Sequence, residues 1–269
     1  MFKKGRSNAV GWLQRNASGK LAETLKEEER RHKKNQFRMQ DYDVGTGDTY
    51  LKRRDLRFLA ERHKFDLSRI INLEVQEGRR PFVLDSGAGF FKVTADLKRT
   101  FGRNIFVTAL NMVSPKIPKS VLADLDRNIR NLSRQPLSFN RDAALSELEK
   151  HLADLKEAQA NSRLADELKI CRLEKFRTKM QYDVILDFCG PLHHSASTGK
   201  VLERYFRLLR SGGKVFLICG MEEIRRIENL IASDFDSIGR NASRAKCYLR
   251  MRLLPGTDVF EIKKEILQS

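Results

Sequence analysis

The sequence predicts an α/β protein with a seven-stranded, mostly parallel sheet that carries helices on both faces. Strand-like and helix-like segments alternate from Pro81 onward, the order that produces a parallel sheet. The first strand runs into a helix through the glycine-containing turn 86–89. Hydrophobic residues make up 41% of the 269 residues, enough for a sizeable core. Global disorder is therefore excluded.

The strands and helices follow from short apolar runs bounded by turn residues. The strands are expected at 81–85, 104–111, 168–176, 182–187, 214–219, 245–253 and 259–266. The helices are expected at 50–64, 90–101, 119–132, 143–168 with interruptions, 199–209 and 221–232.

The chain is expected to have three parts. Residues 1–40 hold eleven Lys and Arg against four Glu and form a basic arm, either helical over about 21–34 or disordered. An organelle transit peptide is the alternative for this segment. Residues 41–80 form an N-terminal helical extension, and 81–269 form the main domain with a helical insertion at about 113–168.

The insertion carries an apolar stripe. Leu145, Leu148, Leu152 and Leu155 recur at helical spacing along one face. We expect this face to pack on the domain's own core; a partner helix or self-association is the alternative.

Charge and cysteine content bound the partners and the compartment. The chain holds 52 basic and 35 acidic side chains, a net charge of +17, which favours polyanionic partners. The four cysteines are far apart and form no C-x-x-C pair, so a reducing compartment, the cytoplasm, is expected. Organelle targeting and non-classical secretion remain alternatives. No apolar run approaches the roughly 20 residues of a transmembrane helix.

The turn after the first strand is the sharpest motif. It reads Asp85-Ser86-Gly87-Ala88-Gly89 and opens a helix. Glycines allow backbone to approach a ligand closely, and the helix N-terminus presents free N–H groups at the same point. The alternative is an ordinary tight turn. If the ligand reading holds, Gly87→Val abolishes ligand binding and leaves the fold intact.

Two later segments complete a pattern. Tyr-Asp-Val-Ile-Leu-Asp at 182–187 and Leu-Leu-Arg-Ser-Gly-Gly-Lys-Val at 208–215 follow the glycine turn in order. Together with that turn, they resemble the class I, Rossmann-like S-adenosylmethionine-dependent methyltransferases over about 81–266. The resemblance implies methyl transfer from S-adenosylmethionine. It also implies a cofactor site made of Asp85, Ser86, Gly87, Ala88, Gly89, Asn111, Met112, Arg172, Leu173, Asp187, Phe188 and Cys189.

Three positions depart from the family pattern. Asn111 stands where the family carries the ribose-binding carboxylate, Arg172-Leu173 lie where an adenine-binding acidic residue is usual, and Phe91 replaces a third glycine. Two outcomes stay open: an unusual cofactor site, or a degenerate methyltransferase fold that binds nucleic acid or protein without catalysis. If Asn111 faces the ribose, Asn111→Asp tightens cofactor binding.

The catalytic residues are not fixed by the sequence. Asp187, His193 and His194 follow the fourth strand and are candidates for acid–base work, with structural hydrogen bonding as the alternative. Cys189 is either a nucleophile or an ordinary buried thiol. The two histidines have no obvious third ligand, so no metal site is predicted.

The basic segments suggest a nucleic-acid partner, RNA rather than DNA. The arm and Lys52, Arg53 and Arg54 would track phosphates. Arg57, Arg62, Lys64 and the pair Arg79-Arg80 extend this surface. A solvated charged face or a protein partner is the alternative.

Overall fold

The computed structural model describes residues 54–111, 114–116, 119–135, 139–194, 198–240 and 247–266. The chain forms two compact units. One carries the sheet and spans 53–114 together with 161–269; the other contains the helical insertion at 115–160. The predicted basic arm at 1–40 lies outside the described residues.

The sheet has seven strands in the order β3-β2-β1-β4-β5-β7-β6. Neighbouring strands run parallel from β3 to β5, while β7 is antiparallel to both β5 and β6. The strands are β1 Phe82–Asp85, β2 Phe106–Asn111, β3 Glu167–Ile170, β4 Tyr182–Phe188, β5 Leu209–Ile218, β6 Cys247–Leu253 and β7 Phe260–Ile266. The predicted fold class is confirmed.

Eight α-helices occur in the described part of the chain. They are α1 Leu56–His63, α2 Leu67–Gln76, α3 Lys92–Phe101, α4 Lys119–Ser133, α5 Phe139–Ser162, α6 Pro191–His194, α7 Thr198–Leu208 and α8 Met221–Arg240. None of these helices combines the length and apolar character that crossing a membrane requires.

The N-terminal extension differs from its prediction, because it contains a second helix that was not predicted. The Asp55 carboxylate caps α1 by accepting from the Phe58 N–H at 2.7 Å, and Asp66 caps α2 in the same way. Between them Lys64 adopts a left-handed conformation, φ 53°, which ends α1. Phe65 then packs against Phe188 and Phe216 of the sheet, so the extension belongs to the same core.

Two strand predictions were wrong in their bounds. The third strand is only four residues long, and Leu173–Lys175 form a 3-10 turn after it. The turn expected at 210–213 lies within β5, which begins at Leu209 and is irregular where it pairs with Tyr182. Glycine 212, with φ 79°, lets the strand continue through this irregularity.

The apolar stripe of the insertion packs against the neighbouring helix of the insertion, whereas the prediction placed it on the core of the main domain. Leu148 and Leu152 of α5 contact a cluster with Leu125 and Leu132 of α4. This small core belongs to the insertion unit. The stripe therefore closes a helical hairpin.

Candidate functional site

Three of the predicted site residues lie at the carboxyl ends of parallel strands of one sheet: Asp85 on β1, Asn111 on β2 and Asp187 on β4. The register pairs Asp85 of β1 with Ala109 of β2, and Asn111 of β2 with Ile170 of β3. On the other side β1 pairs with β4, so the strand order reverses its direction between β1 and β4. Open α/β sheets bind ligands in the crevice at such a switch point.

Asp85, at the end of β1, holds the glycine turn and the following helix together. Its carboxylate accepts from the Thr94 hydroxyl at 2.7 Å and from the N–H groups of Gly87 and Thr94. Helix α3 has no cap from its own N-cap residue, Phe91, so Asp85 caps it from the strand. Burial raises the pKa of Asp85, while the Arg54 charge and these hydrogen bonds oppose the rise.

Three carbonyl groups, two in the glycine turn and one on the residue that follows it, are held by side-chain donors. The Asn111 side-chain amide donates to the Gly89 carbonyl at 3.1 Å, and the Asn161 amide donates to the Phe90 carbonyl at 3.3 Å. The Gly87 carbonyl accepts from the Arg54 guanidinium. Three side chains from different parts of the chain thus fix the conformation of the turn.

Arg54 lies inside this site. Its side chain is 5% exposed, its Nη2 atom donates to Gly87, and Nη2 lies 3.3 Å from where a Cβ on Gly89 would stand. Its charge lowers the pKa of both Asp85 and Asp187 against the effect of burial. Arg54 was predicted to contact phosphate on an exposed surface; that prediction was wrong, because the guanidinium points into the glycine turn.

Asp187, at the end of β4, is fully occupied by donors. One carboxylate oxygen accepts from the Gly190 N–H at 2.8 Å, and the other accepts from the Leu192 N–H at 3.0 Å and the Tyr205 hydroxyl at 2.6 Å. The Tyr205 hydroxyl also lies 2.8 Å from the Ser86 hydroxyl, which links the ends of β1 and β4. Burial raises the pKa of Asp187. The residue positions the loop after β4 and is not free to serve as a base.

The loops after β1 and β4 touch at two glycines. A Cβ on Gly87 would lie 2.7 Å from the Gly190 Cα, closer than real Cβ contacts. A Cβ on Gly190 would lie 2.7 Å from an Asp187 carboxylate oxygen. The expectation that Gly87→Val leaves the fold intact was therefore wrong: glycine is required at 87 by the packing of one loop on the other.

Two non-glycine residues with positive φ flank the same crevice. Phe91 has φ 59° at the start of α3, and Cys189 has φ 54° directly after Phe188. Such conformations cost energy and concentrate at functional sites. Phe91 and Phe188 have buried side chains, whereas Cys189 is half-buried. Its thiol therefore stays a candidate for both predicted roles, a nucleophile or a structural thiol.

The residues predicted to bind the ribose and the adenine lie in different surroundings. Asn111 lies beside the glycine turn; because a carbonyl only accepts, the amide nitrogen must face Gly89. Aspartate at 111 would lose this bond and set a charge against the carbonyl, so the tightening expected from Asn111→Asp no longer follows. Leu173 is buried in the core, and Arg172 is exposed. Cys171, the residue before Arg172, donates its backbone N–H to the Asn111 backbone carbonyl. Met112 lies outside the described residues.

The structure describes only some of the histidines and basic residues that were predicted to be functional. His193 and His194 end the short helix α6, and their side chains lie outside the described residues. No cluster of potential metal ligands occurs within the described ranges. Arg57 and Arg79 are exposed and paired with glutamates, and Lys52 and Arg53 lie outside the described residues.

Sequence reasoning missed the residues that organise the site from a distance. Thr94, Asn161 and Tyr205 are single polar residues within helical segments, and nothing in their spacing marks them. For Arg54 a signal existed: it directly precedes Asp55, a strong N-cap residue, so its position at the start of a helix could be predicted. The direction of the Arg54 side chain could not be predicted.

The order β3-β2-β1-β4-β5-β7-β6, with only β7 antiparallel to the central strands, decides the fold. The chain has the class I methyltransferase fold. No family model and no curated protein matches the sequence. The resemblance seen in the motifs therefore extends to the topology of the whole sheet.

Solved structures similar to this chain include several methyltransferases. An N-methyltransferase NodS from Bradyrhizobium japonicum in complex with S-adenosyl-L-homocysteine is 11% identical with a TM-score of 0.39, over 81% of this chain and 95% of that chain. An S-adenosylmethionine-dependent O-methyltransferase from Thermotoga maritima is 10% identical with a TM-score of 0.38, over 75% and 65%. An rRNA methylase from Streptococcus thermophilus is 15% identical with a TM-score of 0.34, over 75% and 97%. At these scores the fold assignment rests on the strand order.

Proposed function

We propose that this protein binds S-adenosylmethionine at the carboxyl ends of β1 and β4 and transfers its methyl group to an acceptor. One observation carries the proposal: a glycine turn, clamped by Arg54, Asn111 and Asn161, lies at the switch point of the sheet. The buried carboxylate of Asp85 sets the conformation of that turn.

The residues present fit such a cofactor. S-adenosylmethionine carries a carboxylate, and Arg54 supplies a buried guanidinium beside the glycine turn. It also carries ribose hydroxyls, and Asn111 places an amide at the end of β2. The backbone at Gly89, with φ 51°, leaves the turn without a Cβ on the side of Arg54.

The bound cofactor supplies an activated methyl group: the acceptor's lone pair forms the new bond as the carbon–sulfur bond breaks and sulfur keeps the electron pair. The protein's own contribution is to hold the two reactants in line. The carboxylates of Asp85 and Asp187 are both engaged by donors, which suits them to rigid positioning of the two loops. His193 and His194 remain the candidates for removing the acceptor's proton.

The glycine turn can be tested against a matched control. Gly89 and Gly102 both have positive φ values, 51° and 54°, so alanine strains the backbone at both, and strongly so at Gly102, where ψ is −120°. At Gly102 a Cβ meets nothing within 4 Å, whereas at Gly89 it meets Arg54. Calorimetric titration with S-adenosylhomocysteine should show affinity lost in Gly89→Ala and retained in Gly102→Ala. Equal affinities in both variants would remove the turn from the site.

RNA is our proposed acceptor class, on the ground of charge. The net charge of +17 and the eleven basic residues of the arm favour a polyanion. Affinity for RNA should then fall linearly with salt on a log–log plot, and deletion of residues 1–38 should flatten the slope while cofactor affinity is unchanged. An unchanged slope would place the contact elsewhere on the chain, and no binding at low salt would favour a protein acceptor.

The competing function is a module that has lost catalysis. Such a module has the same fold as an active methyltransferase, so only an assay of methyl transfer and of cofactor binding distinguishes the two functions. Transfer of a labelled methyl group to RNA supports the enzyme, whereas tight RNA binding with no cofactor affinity would support the degenerate module.

A further inference from the structure

The Arg54 guanidinium has one buried end that meets no acceptor. Nη2 donates to the Gly87 carbonyl, but Nη1 is buried and has no hydrogen-bond partner among the described residues. A buried donor without an acceptor is destabilising, and more so when the group is charged. Such a group calls for an explanation, and an acceptor brought by a ligand supplies one.

The position of Arg54 is fixed by the backbone around it. Asp55 caps α1, and the Leu56 N–H donates to the Asp96 carboxylate of α3 at 3.2 Å. Helix α1 is therefore tied to the helix that follows the glycine turn. The Arg54 side chain reaches the glycine turn from this fixed backbone, and its Nη2 atom is already bound to Gly87. Little side-chain conformational entropy is therefore lost when the guanidinium binds a ligand.

The described neighbours of Arg54 leave its Nη1 atom without an acceptor. Asp85 and Asp187 lie close enough for the Arg54 charge to lower the pKa of each. Both carboxylates, however, are held by other donors: Thr94 and backbone N–H groups on Asp85, and Tyr205 and backbone N–H groups on Asp187. Neither carboxylate bonds directly to Nη1, which leaves that donor for a carboxylate brought by the ligand.

We propose that Arg54 recognises the carboxylate at the amino-acid end of the cofactor, with Nη2 holding the glycine turn and Nη1 holding the ligand. This inference rests on the proposed function and assigns the orientation of the cofactor: its amino-acid end lies toward α1, and its ribose lies toward Asn111. It makes Arg54 the residue that discriminates S-adenosylmethionine from analogues without the carboxylate.

The test compares two ligands that differ in one group. Decarboxylated S-adenosylmethionine keeps the sulfonium and the amine but lacks the carboxylate. Calorimetry on the full chain should show S-adenosylmethionine binding about 10- to 100-fold more tightly than the decarboxylated analogue, the range for a charge-assisted hydrogen bond. In Arg54→Met that ratio should fall to about one; affinity for the analogue also falls to the extent that loss of the Nη2 bond to Gly87 disturbs the turn, so the ratio is the diagnostic quantity.

Two further variants keep the test decisive. Arg57→Met removes a guanidinium from the same helix, where it is exposed and pairs with Glu61, and should keep the wild-type ratio. Arg54→Lys retains the charge beside Asp85 and Asp187 but replaces the planar fork by one ammonium. If Arg54→Met fails to fold, Arg54→Lys provides the test in its place, and its ratio should lie well below that of wild type.

The outcomes separate this inference from the proposed function. If the wild-type protein binds S-adenosylmethionine but Arg54→Lys and Arg54→Met weaken both ligands equally, Arg54 is structural and the inference is overturned alone. The same holds if wild type binds the two ligands equally. If wild type binds neither ligand, the proposed function itself fails.

Discussion

Two buried tyrosines differ in the charge of their hydrogen-bond acceptor. The Tyr205 hydroxyl donates to the Asp187 carboxylate at 2.6 Å, while Tyr182 donates to the neutral Thr108 hydroxyl at 3.1 Å. Burial and the Asp187 charge raise the pKa of Tyr205, and burial raises the pKa of Tyr182 to about 12. Both hydroxyls therefore remain protonated donors at neutral pH.

These tyrosines form a matched pair for mutation. Tyr205→Phe should lower the free energy of unfolding by about 1.5–3 kcal/mol, because a charged acceptor loses a donor, and Tyr182→Phe by about 0.5–1.5 kcal/mol. Urea denaturation of both variants measures the difference. Equal losses would show that Asp187 is not held as the structure describes.

The buried carboxylates also predict a pH dependence. Burial raises the pKa of Asp85 and Asp187 above the ordinary value, so the folded state binds their protons more tightly than the unfolded state. Their contribution to stability is therefore greatest below the ordinary carboxyl pKa and is lost as pH rises through the folded pKa.

Arg54 limits this loss, because its charge lowers both pKa values. In Arg54→Met the folded pKa values should rise further. The stability deficit of this variant against wild type should then be larger at about pH 8 than at about pH 5 in urea titrations. A deficit that does not change with pH would place the Arg54 charge too far from both carboxylates to matter.

At the scale of elements, the loops after β1 and β4 depend on each other through two glycines. In Gly87→Ala the new Cβ would meet the Gly190 Cα at 2.7 Å, so we expect a loss of about 1–3 kcal/mol in unfolding free energy, typical of overpacking. Gly199→Ala in α7 is the control: nothing lies within 4 Å, and alanine should be neutral or stabilising.

Thermal and urea unfolding of the two glycine variants would measure this contrast. If Gly87→Ala were as stable as Gly199→Ala, the close approach of the loops would be wrong. The pair also separates packing from ligand contact, since both measurements are made without cofactor.

The sequence could predict elements whose signal is local. Parallel strands such as 182–187 are short apolar runs between turn residues, and they appear where the pattern placed them. The glycine turn at 86–89 was predicted as the focus of the site, and it lies at the switch point. Helix α2 was missed although Asp66 is a good N-cap residue and Leu67, Ile70 and Ile71 recur at helical spacing. The early start of β5 was missed because Gly212-Gly213 signals a turn even inside a strand.

The location of the candidate site could be predicted from the ends of the strands, but the contacts of its side chains could not. Asp85, Asn111 and Asp187 each end a strand, and parallel topology brings such positions to one edge. What each side chain contacts depends on residues distant in the chain, such as Arg54, 33 residues before Gly87, and Tyr205, 18 residues after Asp187. That information is tertiary, so Arg54 was assigned to the surface.

For the whole molecule, the central claim is that the crevice between β1 and β4 binds S-adenosylmethionine. Ligand binding there should stabilise the two loops and slow amide exchange in them. Hydrogen–deuterium exchange of the full chain, with and without saturating S-adenosylhomocysteine, measures this directly. We predict protection in peptides that cover 84–94 and 186–192. No protection in either peptide, or protection confined to other segments, would contradict the account.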